Sequence, residues 1–152
     1  MKLTQHPLHP ALAHFPVAFW SAAVATDAAA VFTGDGSWWI WSHHALVAGL
    51  LAGTLALLAG ATEAFLRPIP GPAQRTLILH LSYMLTAFSL FLASLALRKH
   101  SPPSSVAIAL SAFGLVALLI GGWFGGSLVY RFGVGTRFTA SASTGKSNES
   151  QT

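Results

Sequence analysis

The chain of 152 residues contains no cysteine and carries very little charge. Without thiols it forms no disulfide, no thiolate metal site, no iron–sulfur centre and no covalent c-type haem attachment, so a metal would have to be bound by histidine, carboxylate or methionine. Charged residues make up 8% of the sequence, against about 25% in typical soluble domains. With 53% hydrophobic residues and a mean hydropathy of +0.61, the composition indicates an integral membrane protein.

Acidic residues are scarcer than basic ones, and the formal net charge is +4. A basic chain can bind nucleic acid when its cations line one face, but here they lie in predicted loops and tails. We therefore expect no nucleic-acid partner, and we use the basic residues as markers of membrane topology.

Four apolar segments are long enough to cross a membrane, since about 20 residues at about 1.5 Å per residue span a hydrocarbon layer of about 30 Å. They cover roughly residues 11–33, 39–65, 76–97 and 106–129, joined by short segments rich in Gly, Pro and Ser. Short connections favour antiparallel neighbours, so the sequence predicts an all-α, polytopic membrane protein with an antiparallel four-helix transmembrane bundle. Residues 1–135 form this membrane domain, and residues 136–152 are expected to be a flexible polar cytoplasmic tail.

Four crossings place both termini on the same side of the membrane, together with the loop between the second and third segments. That side carries six basic residues and the other carries two. The positive-inside rule therefore predicts cytoplasmic N- and C-termini. The six are Lys2, Arg67, Arg75, Arg131, Arg137 and Lys146, and the two are Arg98 and Lys99.

Small residues at helical spacing mark the expected helix contacts, because helices in lipid pack through residues that let their backbones approach. We expect three such stripes to face the bundle interior, although a homodimer through the glycine faces would also use them. The stripes are Ala18, Ala22, Ala25 and Ala29 in line with His14, then Gly49, Gly53, Ala56 and Gly60, and finally Gly114, Gly121 and Gly125.

Polar residues converge at the predicted cytoplasmic end of the bundle. His14 opens the first segment, Glu63 closes the second and His80 lies about one turn into the third. His14 lies on the alanine stripe and Glu63 lies about 40° from the glycine stripe, so both are expected to point inward. The same end holds His9, Arg67, Arg75, Arg131, Trp123, Gly125 and Gly126, whereas Asp27, His43, His44 and His100 at the other end are expected to make interfacial hydrogen bonds or a weaker second site.

Several motifs together resemble a family of small bacterial membrane proteins called domain of unknown function 2231. These motifs are HPALAHFP at the start, GATEAF at the end of the second segment, His80, and GGWFGGSLVYRFGVG over residues 121–135. The resemblance covers roughly residues 8–135 and implies a multi-pass protein of the bacterial inner membrane. The family prefers Asp where this chain has Glu63 and an acidic residue where it has Ser127. Relatives joined to Rieske or cytochrome domains imply redox work.

Our first hypothesis is a b-type haem bound between the first and third segments, with His14 and His80 as axial ligands. Such a site needs one histidine from each of two facing helices, an apolar slot and arginines near the propionates. Arg67, Arg75 and Arg131 would hold the propionates, with Trp123 and Gly125 beside the ring. The protein would then carry electrons to or from a quinone or a redox partner protein, and would not be a catalyst.

Two alternatives remain open from the sequence. His9, His14, Glu63 and His80 could bind a transition metal ion, or act as a proton site. Alternatively, the histidines and the glutamate hydrogen-bond across helices, and the protein is a structural membrane subunit without chemistry of its own.

Overall fold

The computed structural model describes residues 8–66, 69–99 and 101–134. The described chain forms four α-helices: α1 (Leu8–Thr33), α2 (Ser37–Leu66), α3 (Gly71–Leu97) and α4 (Ser105–Tyr130). Each is long and apolar enough to cross a membrane, which confirms the all-α, four-span prediction. The predicted tail, residues 136–152, lies outside the described residues.

Local signals account for the helix ends. Gly34 follows α1 with φ of +72°, a left-handed conformation that glycine adopts without a Cβ penalty. The Asp35 carboxylate accepts a 2.8 Å hydrogen bond from the Ser37 amide at the start of α2. Hydrogen bonds from Ser37 hold the pKa of Asp35 below its usual range. Ser104 caps α4, where its hydroxyl accepts from the Ala107 amide.

The helices pair as two hairpins: α1 packs chiefly on α2 (the first hairpin), and α3 packs chiefly on α4 (the second hairpin). The core lies where the hairpins meet, around Trp20, Leu46, Phe91 and Leu118. Many large apolar side chains stay exposed on the outer faces, for example Phe32 and Leu51. Helices that are apolar on both the packed and the exposed face are typical of a protein surrounded by lipid.

The two hairpins are related by an internal repeat. In α1, Trp20 and Asp27 follow His9 by 11 and 18 residues, and in α3, Phe91 and Arg98 follow His80 by the same intervals. These intervals are close to three and five full helical turns, so each trio lies on one face of its helix. The faces meet pairwise: His9 with His80, Trp20 with Phe91 and Asp27 with Arg98.

The partner helices carry the same repeat. Both have small residues at intervals of seven and four, and these positions receive the side chains of the first helix of each hairpin. The fold is therefore a pseudo-two-fold pair of parallel repeats, an arrangement in which ligands commonly bind where the repeats meet. The small residues are Gly49, Ala56 and Gly60 in α2, and Gly114, Gly121 and Gly125 in α4.

The prediction that the alanine stripe of α1 faces inward was wrong. Ala18, Ala22 and Ala25 are exposed, whereas Trp20 and Asp27 are buried. The large ring of Trp20 fills the space that Gly49 and Gly53 leave on α2, and Asp27 meets a cation on α3, so the bulkier face is the one that packs.

The glycine stripes of α2 and α4 do face inward, as expected. Gly49 and Gly53 are buried under the Trp20 ring, and Gly114 is buried under the Phe91 ring. Side chains of the same chain pack against these glycines, and a homodimer through the glycine faces stays a prediction.

Candidate functional site

A pair of histidines meets where the two hairpins face each other. His9 opens α1 and His80 lies in the third turn of α3; their ring centroids are 6.3 Å apart with an interplanar angle of 79°. Both side chains are half-buried. Each hairpin therefore contributes one imidazole at the same depth of the bundle.

Hydrogen bonds to the backbone define the tautomer of both rings. His9 Nδ1 lies 2.7 Å from the carbonyl oxygen of Ala56, and His80 Nδ1 lies 2.8 Å from that of Gly121. A carbonyl oxygen only accepts, so Nδ1 carries the proton and donates in both cases. Each neutral ring then has an unprotonated Nε2 with a free lone pair, which is the arrangement of histidines that ligate metals through Nε2.

Glycines make room for both rings. A Cβ at Gly60 would lie 2.8 Å from His9 Nδ1, and a Cβ at Gly125 would lie 2.9 Å from His80 Cε1. Each imidazole thus sits in a notch on the neighbouring helix, one turn beyond the carbonyl that binds it. The notch and the carbonyl together fix the position of the ring.

Glu63 orients the start of α1. Its Oε1 accepts hydrogen bonds from the backbone amides of Leu8 at 2.6 Å and His9 at 3.1 Å. Amides in the first turn of a helix lack intrahelical acceptors, and a carboxylate there also faces the positive end of the helix dipole. Glu63 therefore positions His9 through the backbone of α1.

His14 is placed differently from its predicted role, because its side chain is exposed on the outside of α1. Five residues separate it from His9, which corresponds to about 140° around a helix, so the two histidines cannot share a face. Within the described residues, the structure brings His9, not His14, to His80.

The remaining predicted site residues that the structure describes lie around this end of the bundle. Arg75 and Arg131 are exposed, and the Arg131 guanidinium lies 5.6 Å from the centroid of the Phe132 ring. Trp123 is 78% exposed on the outer face of α4. Gly125 lies under His80, and Arg67 is outside the described residues.

The opposite end holds a buried ion pair that sequence reasoning underestimated. The side chains of Asp27 and Arg98 are 2% and 3% exposed and pair in a two-pronged contact, with Nη1 and Oδ1 at 2.9 Å. The other guanidinium protons reach three serine hydroxyls, so all five N–H groups have acceptors. These hydroxyls belong to Ser42 of α2, Ser94 of α3 and Ser111 of α4.

The internal repeat is the sequence signal that would have located both pairs. His9 to Asp27 and His80 to Arg98 are equal intervals, and the aromatic residue between them stands at the same step in each. Asp27 follows His9 by five full helical turns, so it lies on the packed face of α1 together with His9.

Alanine substitutions at the two glycines beside the imidazoles and at a third, open glycine are expected to differ in their effect on stability. Gly60→Ala and Gly125→Ala are expected to lower the free energy of unfolding by about 1–3 kcal/mol, because the new methyl group displaces an imidazole held by a carbonyl. Gly122→Ala is the control, since a Cβ there meets nothing within 4 Å. It should be neutral, or stabilising by up to about 1 kcal/mol through helix propensity. Thermal and SDS-induced unfolding in micelles, followed by circular dichroism, would check this, and equal effects of all three changes would contradict it.

The chain is similar to one known protein family. The family model described as "Predicted membrane protein (DUF2231)" matches residues 5–137. No curated protein and no solved structure matches the chain significantly. The family match covers most of the chain and agrees with the four apolar helices. The chain belongs to the DUF2231 family of predicted membrane proteins.

Proposed function

We propose that the protein is a membrane-embedded electron carrier that binds a b-type haem between α1 and α3, which His9 and His80 would hold. The observation that carries the proposal is the matched pair of imidazoles, each with Nδ1 on a backbone carbonyl, so that Nε2 of the neutral ring is unprotonated. His9 takes the place that we expected for His14 from the sequence.

The donor set fits haem better than a bare metal ion. Zinc takes three or four protein ligands, and no group of three His, Asp or Glu side chains is present within residues 8–66, 69–99 and 101–134. Glu63, the carboxylate considered for a metal shell, accepts from two backbone amides instead. Haem supplies four nitrogen ligands itself and needs only two from the protein.

The two rings lie close enough to hold one group together, since their centroids are 6.3 Å apart and an imidazole nitrogen lies about 2.0–2.1 Å from a metal that it binds. Each histidine belongs to a different hairpin, so a group held by both would lie at the seam between the hairpins.

Basic residues near the histidine pair suit the propionates of a haem, and basic residues also indicate the side of the membrane on which this end lies. Arg75 and Arg131 are exposed near this end of the bundle and are suited to hold propionates in charge-assisted hydrogen bonds. The excess of basic residues on the side of the termini supports a cytoplasmic position for this end in a bacterial inner membrane.

A haem held by His9 and His80 would supply one-electron transfer. The residues of the chain then have three tasks: His9 and His80 would hold the group, the carbonyls of Ala56 and Gly121 fix the tautomers of the two rings, and Glu63 orients α1. A quinone or a redox protein is the expected partner.

A visible spectrum of the purified protein, expressed with sufficient haem, tests the proposal. We expect a Soret band that shifts on dithionite reduction and about one haem per chain in a pyridine haemochrome assay. His9→Ala and His80→Ala should each abolish the band. His14→Ala is the matched control, an exposed histidine of the same helix, and should retain it.

Circular dichroism and gel filtration would establish that the colourless variants remain folded. A colourless wild-type protein with about one metal ion per chain would favour a non-haem metal site, and a colourless, metal-free protein would leave a hydrogen-bonded histidine pair. Retention of the band in His9→Ala together with its loss in His14→Ala would overturn the ligand assignment.

A further inference from the structure

An open groove of about 310 Å³ lies at the end of the bundle opposite the histidine pair. It is formed by the first turns of α2, the end of α3 and the α3–α4 connection. Its lining comprises Trp39, Ile40, His43, His44, Arg98, Lys99, Ser101 and Pro103. Neither the family match nor the proposed function assigns a role to it.

Among the lining residues that the structure describes, the groove carries one cation without a carboxylate partner, Lys99, together with two histidines. Asp27 neutralises Arg98, but Lys99, His43 and His44 are exposed in the groove. His44 Nδ1 is bonded to the Ile40 carbonyl at 2.8 Å, which anchors the ring to α2, and the His43 ring contacts it edge-on at 5.9 Å. No carboxylate is among the lining residues that the structure describes. These groups favour an anion.

The apolar wall of the groove, and its position at the end of the spanning helices, indicate which kind of molecule carries the anion. Trp39, Ile40 and Pro103 form an apolar side next to the cations. Trp38 and Trp41, which flank this wall, are exposed, and tryptophan prefers the headgroup level of a membrane. A groove at the end of the spanning helices, cationic on one wall and apolar on the other, matches an amphiphile with an anionic head.

We propose that this groove binds the phosphate headgroup of an anionic phospholipid, with Lys99 and His43 on the phosphate and Trp39, Ile40 and Pro103 against the start of the acyl chains. The site is independent of the haem proposal, because about 27 Å of helix separates His9 from Asp27 beneath the groove.

Native mass spectrometry in detergent tests the site with phosphatidylglycerol and with phosphatidylcholine of the same acyl chains. We expect the wild-type protein to retain phosphatidylglycerol several-fold better. The variant His43→Gln/His44→Gln/Lys99→Gln should lose this preference. His14→Gln, which removes an exposed histidine from the opposite end, is the matched control and should keep it.

Inorganic phosphate is the second probe, because a free anion would use the same groups. Phosphate should displace phosphatidylglycerol only weakly, since it lacks the acyl contacts. Retention of phosphatidylglycerol by the triple variant at the wild-type level would overturn the site. Tight binding of inorganic phosphate, with no preference for the phospholipid, would overturn the assignment to a lipid.

Discussion

Replacement of Arg98 by alanine is expected to lower the free energy of unfolding by about 3–5 kcal/mol, the range for breaking a buried pair by removing one partner. The change leaves the Asp27 carboxylate, 2% exposed, without its cation. It also removes donors to hydroxyls on α2, α3 and α4, so contacts to all four helices are lost at one point.

The serine network explains why lysine should not rescue the site. Ser94 donates to the Ala107 carbonyl at 2.7 Å, so at its 2.7 Å contact with Ser111 it must accept. Both hydroxyls are thereby oriented to receive guanidinium protons. Lysine has three donors on a single nitrogen and cannot reproduce the planar fork. Arg98→Lys is therefore expected to be destabilised nearly as much as Arg98→Ala.

SDS-induced and thermal unfolding in micelles would measure these effects. Lys99→Ala is the matched control, because it removes the same charge from the neighbouring, exposed residue and should change stability little. The double variant Asp27→Leu/Arg98→Met should recover much of the loss, since an apolar pair leaves no uncompensated charge. Equal stability of Arg98→Ala and Lys99→Ala would contradict the structural role of the pair.

Replacement of Trp20 by alanine is the second large effect, with an expected loss of about 3–5 kcal/mol. The ring is 3% exposed and stacks on Phe91 with centroids 4.7 Å apart, joining the two hairpins at the middle of the bundle. It also covers Gly49, where a Cβ would lie 2.5 Å from the ring. Alanine would leave a cavity between three helices.

Two further tryptophan variants serve as controls for this measurement. Trp41→Ala removes the same side chain from a 65% exposed position and should be much milder. Trp20→Phe should fall between wild type and Trp20→Ala, because Trp20 Nε1 has no hydrogen-bond partner among the described residues and phenylalanine loses none. Circular dichroism would follow unfolding without relying on tryptophan emission. Similar losses for Trp20→Ala and Trp41→Ala would refute a packing role at the seam.

One geometric difference accounts for the wrong face predicted for α1. From His14, Asp27 lies about 140° around the helix, which predicts a peripheral role. His9 is the histidine that packs, and Asp27 follows it by five full turns on the same face. His80, Glu63 and Gly125 lie at the same end as His9, because depth follows from counting residues along a span.

Composition and segment length alone determined that this is a four-span helical membrane protein, since lipid admits only long apolar helices whose backbone is satisfied internally. The positions of His9, His80 and Glu63 along the segments also place these three residues at one depth. The tertiary structure decided which face of each helix is buried, and therefore that His9 meets His80 and Asp27 meets Arg98. Helices apolar on all sides carry little directional pattern, so the choice of face depends on how Trp20 and Phe91 fit the glycines of the neighbouring helices.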